Sequence, residues 1–241
     1  MLVDPGSFLT AVVLAAILMV TGRFSIEKTL GRRRALSAAA GASIAYIFVN
    51  LLPEIETIAM MFHHEAGFLP YEGAYGVNLA MMLGFVFFYG LDEMRPLPAG
   101  NTEKNRNKVA FWVQILGYGG YISLIGYLLV RSLAEEELSR SLYALSMSMH
   151  FGLIGFGLRD LHKQDYDRIG RYALAGFCLA GWLVGTMVEL PKFVVMLLFG
   201  FVSGGVLSVT GIVELPKGEE GRFIPFLSGA VAYAAFLILF R

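Results

Sequence analysis

The chain has 241 residues, 56 % of them apolar and only 16 % charged, and its acidic and basic side chains balance to a net charge of zero. An ordinary soluble domain carries about 25 % charged residues. The composition therefore excludes a typical soluble domain and indicates that most of the chain lies in membrane spans. Cys178 is the single cysteine, so an internal disulfide is excluded as well.

Eight apolar runs have about the length that a helix needs to cross a bilayer. Backbone groups in lipid need hydrogen-bond partners within the protein, so these runs are predicted to be helices. They are too uniformly apolar for barrel strands, in which polar and apolar residues alternate. The chain is thus predicted to be one all-α transmembrane domain, residues 1–241, with spans at residues 8–22, 35–52, 75–91, 109–130, 141–158, 172–188, 193–213 and 223–240.

The connections between these spans differ in charge. The first, third, fifth and seventh connections hold 15 Lys and Arg residues, whereas the second, fourth and sixth hold 3. Basic residues accumulate in cytoplasmic loops. The odd connections are therefore predicted to be cytoplasmic and both termini outside. The expected location is the cytoplasmic membrane of a prokaryote.

The second span carries no charge and ends at Pro53 and Glu54. A similar ending, Val213-Glu214-Leu215-Pro216, closes the seventh span. Aligning Gly41 with Gly205 places Asn50 on Glu214. Because the two spans cross in opposite directions, the similarity predicts an inverted repeat of spans one to three and six to eight, an architecture common among transporters. The alternative is that an apolar run followed by Leu-Pro is simply a common helix ending.

These features resemble the ZIP (Zrt/Irt-like) divalent-metal transporters, in which spans two and seven commonly end in leucine-proline-acid motifs. The third span ends in acids as well, at Asp92 and Glu93. The resemblance implies an eight-helix inverted-repeat fold and transport of zinc or another divalent cation. It also implies a two-metal site on spans four and five, made of His, Asn, Asp and Glu one helical turn apart.

Spans four and five lack most of that ligand set. Span four has no His, Asp or Glu, and on span five His150 is followed by Phe151 and Ile154 where the family pattern has an acid and a second ligand. We therefore expect no ordered metal between these spans. His150 is a candidate ligand because ionisable residues within spans are commonly functional. The alternative is a neutral histidine that bonds a nearby hydroxyl, with the following candidates: Ser146, Ser148 and Tyr121.

The second connection is acidic and contains His63, His64 and Glu65, which we expect to collect cations at the entrance, although a solvated His pair is the alternative. No enzyme or nucleic-acid motif is present. The expected partners are the lipid bilayer and either a second copy or another membrane protein. Two functions stay open, a divergent ZIP-like divalent-cation transporter and a non-transporting structural or regulatory subunit. The predicted metal ligands are His150, Asn50, Glu54, His63, His64 and Glu65.

Overall fold

The fold is described from a computed structural model for residues 5–21, 30–65, 73–94, 103–131, 137–211 and 223–239. Within these ranges the backbone is helical apart from short connections, and no residue in them is in a strand. The predicted all-α fold class is confirmed. The α-helices in this part of the chain are α1 (Pro5–Thr21), α2 (Leu30–Tyr46), α3 (Leu52–Glu65), α4 (Gly73–Glu93), α5 (Glu103–Arg131), α6 (Glu137–His162), α7 (Arg171–Met187), α8 (Lys192–Val209) and α9 (Phe223–Leu239).

Several of these helices have the length and apolarity of membrane spans. Helices α1 and α9 are apolar as well but have 17 residues each, and α6, which carries predicted span five, is not in the group. Large apolar side chains also cover the outside of the bundle, as Leu83 on α4 and Ile224 on α9 illustrate. An apolar outer surface suits lipid and marks a membrane protein. Five helical stretches meet the criterion: Ser37–Ile58, Tyr75–Glu93, Arg106–Arg131, Tyr166–Met187 and Lys192–Val209.

The helix of span two does not end at Pro53, as the sequence analysis expected. Helix α2 passes through a π turn, Ile47–Leu51, directly into α3, which continues to Glu65. Proline lacks an N–H and its ring clashes with the carbonyl of the preceding turn. The π turn widens the backbone just before Pro53, which relieves that clash and lets the helix continue. The segment predicted to be a loop is therefore helical as far as residue 65.

Two helix pairs in the bundle pack through glycines in the same manner. A Cβ atom on Gly41 of α2 would collide with the Phe226 carbonyl of α9, and one on Gly229 of α9 would collide with the Ala38 carbonyl of α2. In the second pair, glycines of α8 and α4 approach the facing backbone in the same way, at Gly204 against Met81 and at Gly84 against Phe201. Small residues allow membrane helices to approach this closely.

Helix α7 packs on α5 through the small residue Gly181, whose Cα faces the Ser123 carbonyl of α5. The hydroxyl of Ser123 donates a hydrogen bond to the Phe177 carbonyl over 2.7 Å. Gly181 and Gly185 therefore pack within the bundle, as do Gly200 and Gly204 against α4. Packing within the chain, rather than between copies, accounts for these small-residue motifs.

The bundle has two ends that can be recognised by their contacts. At one end, the Gln114 end, Gln114 of α5 donates to the Leu91 carbonyl of α4 over 3.0 Å and its side-chain oxygen contacts His162 of α6. At the other, the Arg131 end, the Arg131 guanidinium of α5 donates to the Gly185 carbonyl of α7 over 2.9 Å. These contacts show which helix ends lie together, and they therefore show how far each side chain lies from either end of the bundle.

Candidate functional site

His150 lies on the buried face of α6. Its neighbours on that face, Met147, Phe151 and Ile154, recur at helical spacing and are each at most 2 % exposed, as is His150 itself. About 18 Å of helix, at 1.5 Å per residue, separates His150 from the end of α6 at the Gln114 end. That distance is a little more than half the thickness of a hydrocarbon layer of about 30 Å. The Nε2 atom of His150 lies 2.8 Å from the Tyr121 hydroxyl of α5, one of the partners expected from the sequence.

A cavity lies beside His150, where α2, α6, α8 and α9 meet. Its volume is about 10 Å³, which is roughly what one water-sized species needs. The apolar part of the lining includes Met147 and Met149 of α6. The polar part consists of the following side chains: Ser43, Tyr46, Ser146, His150, Thr210 and Tyr233.

Two hydroxyls of this lining have no hydrogen-bond partner in the part of the chain that the structure describes. They are the Oγ atom of Ser43 and the Oγ1 atom of Thr210, and both are buried. By contrast, the Ser146 and Tyr233 hydroxyls bond each other over 2.5 Å and so connect α6 to α9. A buried hydroxyl without a partner costs about 1 to 3 kcal/mol. The Ser43 and Thr210 hydroxyls therefore favour a polar occupant of the cavity.

The cavity lies where two helices change from α to π geometry. The regular part of α2 ends at Tyr46 and its π turn begins at Ile47, while Thr210 is the first residue of a π turn that follows α8. Tyr46 and Thr210 both line the cavity. A π turn departs from the regular hydrogen-bond pattern of the helix and is often found at functional sites. A further π turn, Tyr166–Gly170, precedes α7 and does not line the cavity, so what characterises this region is that α2 and α8 both change geometry beside it.

Among the residues that the structure describes, no carboxylate lines the cavity. In addition, the described residues contain no group of three or more His, Cys, Asp or Glu side chains placed to hold a metal ion. His150 is the one imidazole that the described part of the chain contributes to the cavity. A divalent ion would find one nitrogen ligand and several hydroxyls there, but nothing to neutralise its charge, and burying an uncompensated charge is costly.

Two of the other predicted ligands, Asn50 and Glu54, lie away from this cavity. Asn50 belongs to the π turn of α2, and its side-chain amide donates to the Glu54 carboxylate over 3.4 Å. Both side chains are half-buried, and neither lines the cavity. His63, His64 and Glu65 form the last residues of α3, and their side chains fall outside the described part of the structure.

A second buried polar cluster lies at the Gln114 end and was not predicted. The Nε2 atom of His162 donates to the side-chain oxygen of Gln114 over 2.5 Å, because a carbonyl oxygen can only accept. Burial lowers the pKa of His162, and the nearby Asp165 carboxylate opposes this effect. The sequence places His162 among charged residues typical of a solvated turn, so its burial could not be seen from composition. Gln114 bonds both His162 and the Leu91 carbonyl.

The hydroxyls of Ser43 and Thr210 were also missed by the sequence analysis. Each lies in a long apolar run, and neither belongs to the motifs that resemble the ZIP family. No local signal singles them out, because Ser43 precedes Pro53 by ten residues whereas Thr210 precedes Pro216 by six. Comparison of the chain with protein-family models finds no match, and a comparison with curated proteins finds none either.

Proposed function

We propose that this protein is a ZIP-like membrane transporter of a divalent metal cation, built as an inverted repeat of α1 to α4 and α7 to α9. The observation that carries the proposal is the correspondence between its two glycine-packed helix pairs. In inverted-repeat transporters the substrate site lies near the bilayer midplane at the interface between repeats. The cavity beside His150 is lined by residues of α2 and α8, which belong to the two proposed repeats, and the path of the divalent cation is proposed to run beside it.

The glycine contacts correspond residue by residue. The number of residues from Gly41 of α2 to Gly204 of α8 equals the number from Ala38 of α2 to Phe201 of α8. The same holds for their contact partners on α4 and α9. The number of residues from Met81 to Phe226 equals the number from Gly84 to Gly229. A chance similarity of two helix endings would not reproduce the partner helix, the facing carbonyl and the register together. The agreement supports a two-fold relation between the repeats in which α2 corresponds to α8 and α4 corresponds to α9.

The two π turns at the cavity have the same separation along the chain as the glycines of α2 and α8. Ile47, where the first π turn begins, is separated from Thr210 by as many residues as Pro53 is from Pro216. This register aligns Gly41 with Gly204, whereas the sequence analysis aligned it with Gly205. Gly205 faces the rings of Phe88 and Tyr121 rather than a backbone carbonyl. In the revised register Asn50 no longer falls on Glu214, which lies outside the described residues.

The two ends of the bundle support the proposed orientation. Contacts at the Gln114 end join residues next to odd connections, and they include the pair Thr21 and Tyr166 at 3.2 Å. Contacts at the Arg131 end join residues next to even connections or the amino terminus, as between Trp182 and Ser7 at 3.2 Å. Because odd connections carry most basic residues, the Gln114 end is proposed to be cytoplasmic and both termini outside.

Flux measurements in proteoliposomes test the proposed transport. Zinc or cadmium uptake should be saturable, and His150→Ala should reduce it strongly because the path runs beside His150. Ser148→Ala is a matched control on the same helix, since the Ser148 hydroxyl bonds the Ala144 carbonyl and does not line the cavity. Equal flux in wild type and His150→Ala would remove His150 from the mechanism.

A second function is favoured by the lack of carboxylates among the described residues that line the cavity. A chain that kept the fold and lost its metal ligands would serve as a structural or regulatory subunit of a membrane assembly. This candidate predicts that no divalent ion is transported and that another membrane protein co-purifies in fixed stoichiometry. Measurable, saturable zinc or cadmium flux by the isolated chain would reject it.

A further inference from the structure

We propose that the cavity beside His150 binds one monovalent cation of the sodium class, with the hydroxyl oxygens of Ser43 and Thr210 among its ligands. The binding is inferred from the cavity itself. Its role rests on the proposed function, since a bound monovalent ion would be the coupling ion whose gradient drives transport of the second cation.

The ligand chemistry at the cavity is that of neutral oxygen atoms. Hydroxyls of α2, α6, α8 and α9 converge on it, from Ser43, Tyr46, Ser146, Thr210 and Tyr233. A hydroxyl oxygen has two lone pairs that can face a cation while its O–H bond points away from the ion. The Ser43 and Thr210 oxygens are buried and lack a partner among the described residues, so a cation between them would satisfy both.

The charge of the lining selects a monovalent ion over a divalent one. The described residues that line the cavity include no Asp or Glu, so these ligands contribute dipoles and no net negative charge. The free energy needed to desolvate an ion rises with the square of its charge, and it is therefore about four times greater for a divalent ion of the same radius. Hydroxyl dipoles alone compensate the smaller cost more readily than the larger one.

The size and position of the cavity agree with this assignment. A volume of about 10 Å³ admits a single ion of the size of sodium and excludes organic cations such as choline. Transporters with inverted repeats coordinate sodium where their helices depart from regular geometry. Here both proposed repeat partners change to π geometry at the cavity, at Ile47 in α2 and at Thr210 after α8.

Thermal unfolding of the purified full chain in detergent tests the site. Sodium chloride should raise the melting temperature saturably relative to choline chloride at equal ionic strength, because a ligand that binds only the folded state stabilises it. Ser43→Ala and Thr210→Val should each weaken the apparent sodium affinity by about tenfold or more, as expected for the loss of one buried ligand. In choline chloride both variants should be at least as stable as wild type, because each removes an unsatisfied hydroxyl.

Ser208→Ala is the matched control. The Ser208 hydroxyl is also on α8, buried and without a partner among the described residues, but it does not line the cavity. This variant should keep the full sodium response. A sodium response that survives both Ser43→Ala and Thr210→Val would overturn the assignment, and so would equal stability of wild type in sodium and choline.

Two further outcomes separate the cation site from the proposed transport. Stabilisation by silver ion with no response to sodium would assign the cavity to the thioethers of Met147 and Met149 and overturn the oxygen site. Sodium binding that meets these criteria in a protein without divalent flux would support the site and reject the transporter. Divalent flux that is indifferent to an imposed sodium gradient would overturn the coupling role.

Discussion

The Nε2 atom of His150 lies 2.8 Å from the hydroxyl oxygen of Tyr121, and this contact joins α6 to α5 in the buried centre of the bundle. The two rings meet edge to face at 74°, with their centroids 5.8 Å apart. Both side chains are at most 2 % exposed. A hydroxyl partner allows an imidazole to be buried in an apolar helix at little cost, since its polar atom keeps a hydrogen bond.

Tyr121→Phe should lower the free energy of unfolding by about 1 to 3 kcal/mol, because it deprives the buried His150 of this hydrogen bond. Tyr89→Phe is the control, since Tyr89 is 48 % exposed on the outside of α4, and it should change stability by less than about 0.5 kcal/mol. Denaturant unfolding in detergent measures both values. The double variant Tyr121→Phe/His150→Leu should lose less than the sum of the single losses, since two apolar side chains leave no polar atom unsatisfied. Strict additivity would show that the contact is energetically irrelevant.

The glycine pairs predict a position-dependent cost of adding one methyl group. Gly41→Ala and Gly204→Ala each place a Cβ against a backbone carbonyl of the facing helix, and each should destabilise the protein by about 1 to 3 kcal/mol. Gly90→Ala is the matched control on α4, because a Cβ there meets nothing within 4 Å. It should be neutral or slightly stabilising, since alanine is the better helix former. Similar losses for all three variants would argue against close packing at the two glycines.

The sequence predicted the helical class, the membrane location and a hydroxyl partner for His150, because these depend on apolar runs and on nearby residue types. It could not predict that α2 continues past Pro53, since the relieving π turn arises from backbone geometry and leaves no residue signature. The register of the proposed repeat differs by one residue because the sequence alignment was anchored on Gly205, although aligning Pro53 with Pro216 places Gly41 on the adjacent Gly204. Ser43 and Thr210 meet only through tertiary packing, so no local pattern identifies their cavity.

The lowered pKa of His162 predicts that stability depends on pH. Burial favours the neutral imidazole in the folded state, whereas the unfolded chain titrates near 6.5. The unfolded state therefore binds more protons as the pH falls, and stability should decrease below about pH 7 with a slope of at most about 1.4 kcal/mol per pH unit. Above that pH the contribution of His162 should be constant.

His162→Gln isolates this effect. A glutamine amide retains a donor for the Gln114 oxygen but does not titrate. Unfolding measured between pH 5 and pH 8 should therefore show a shallower pH dependence in the variant than in wild type. Identical slopes would mean that the imidazole has the same proton affinity in the folded and unfolded states, contrary to its burial.

The proposed orientation is tested by labelling single cysteines in intact cells with an impermeant thiol reagent. Cys178 is buried, so Cys178→Ala provides a background without a native thiol. Cysteines placed at His63 and Arg241 should react from outside, whereas one at Arg106, which is exposed near the start of α5 at the Gln114 end, should react only after the membrane is permeabilised. The reason is the concentration of 15 basic residues in the odd connections against 3 in the even ones. Reaction at position 106 in intact cells, with protection at 63, would reverse the orientation and place the acidic end of α3 in the cytoplasm.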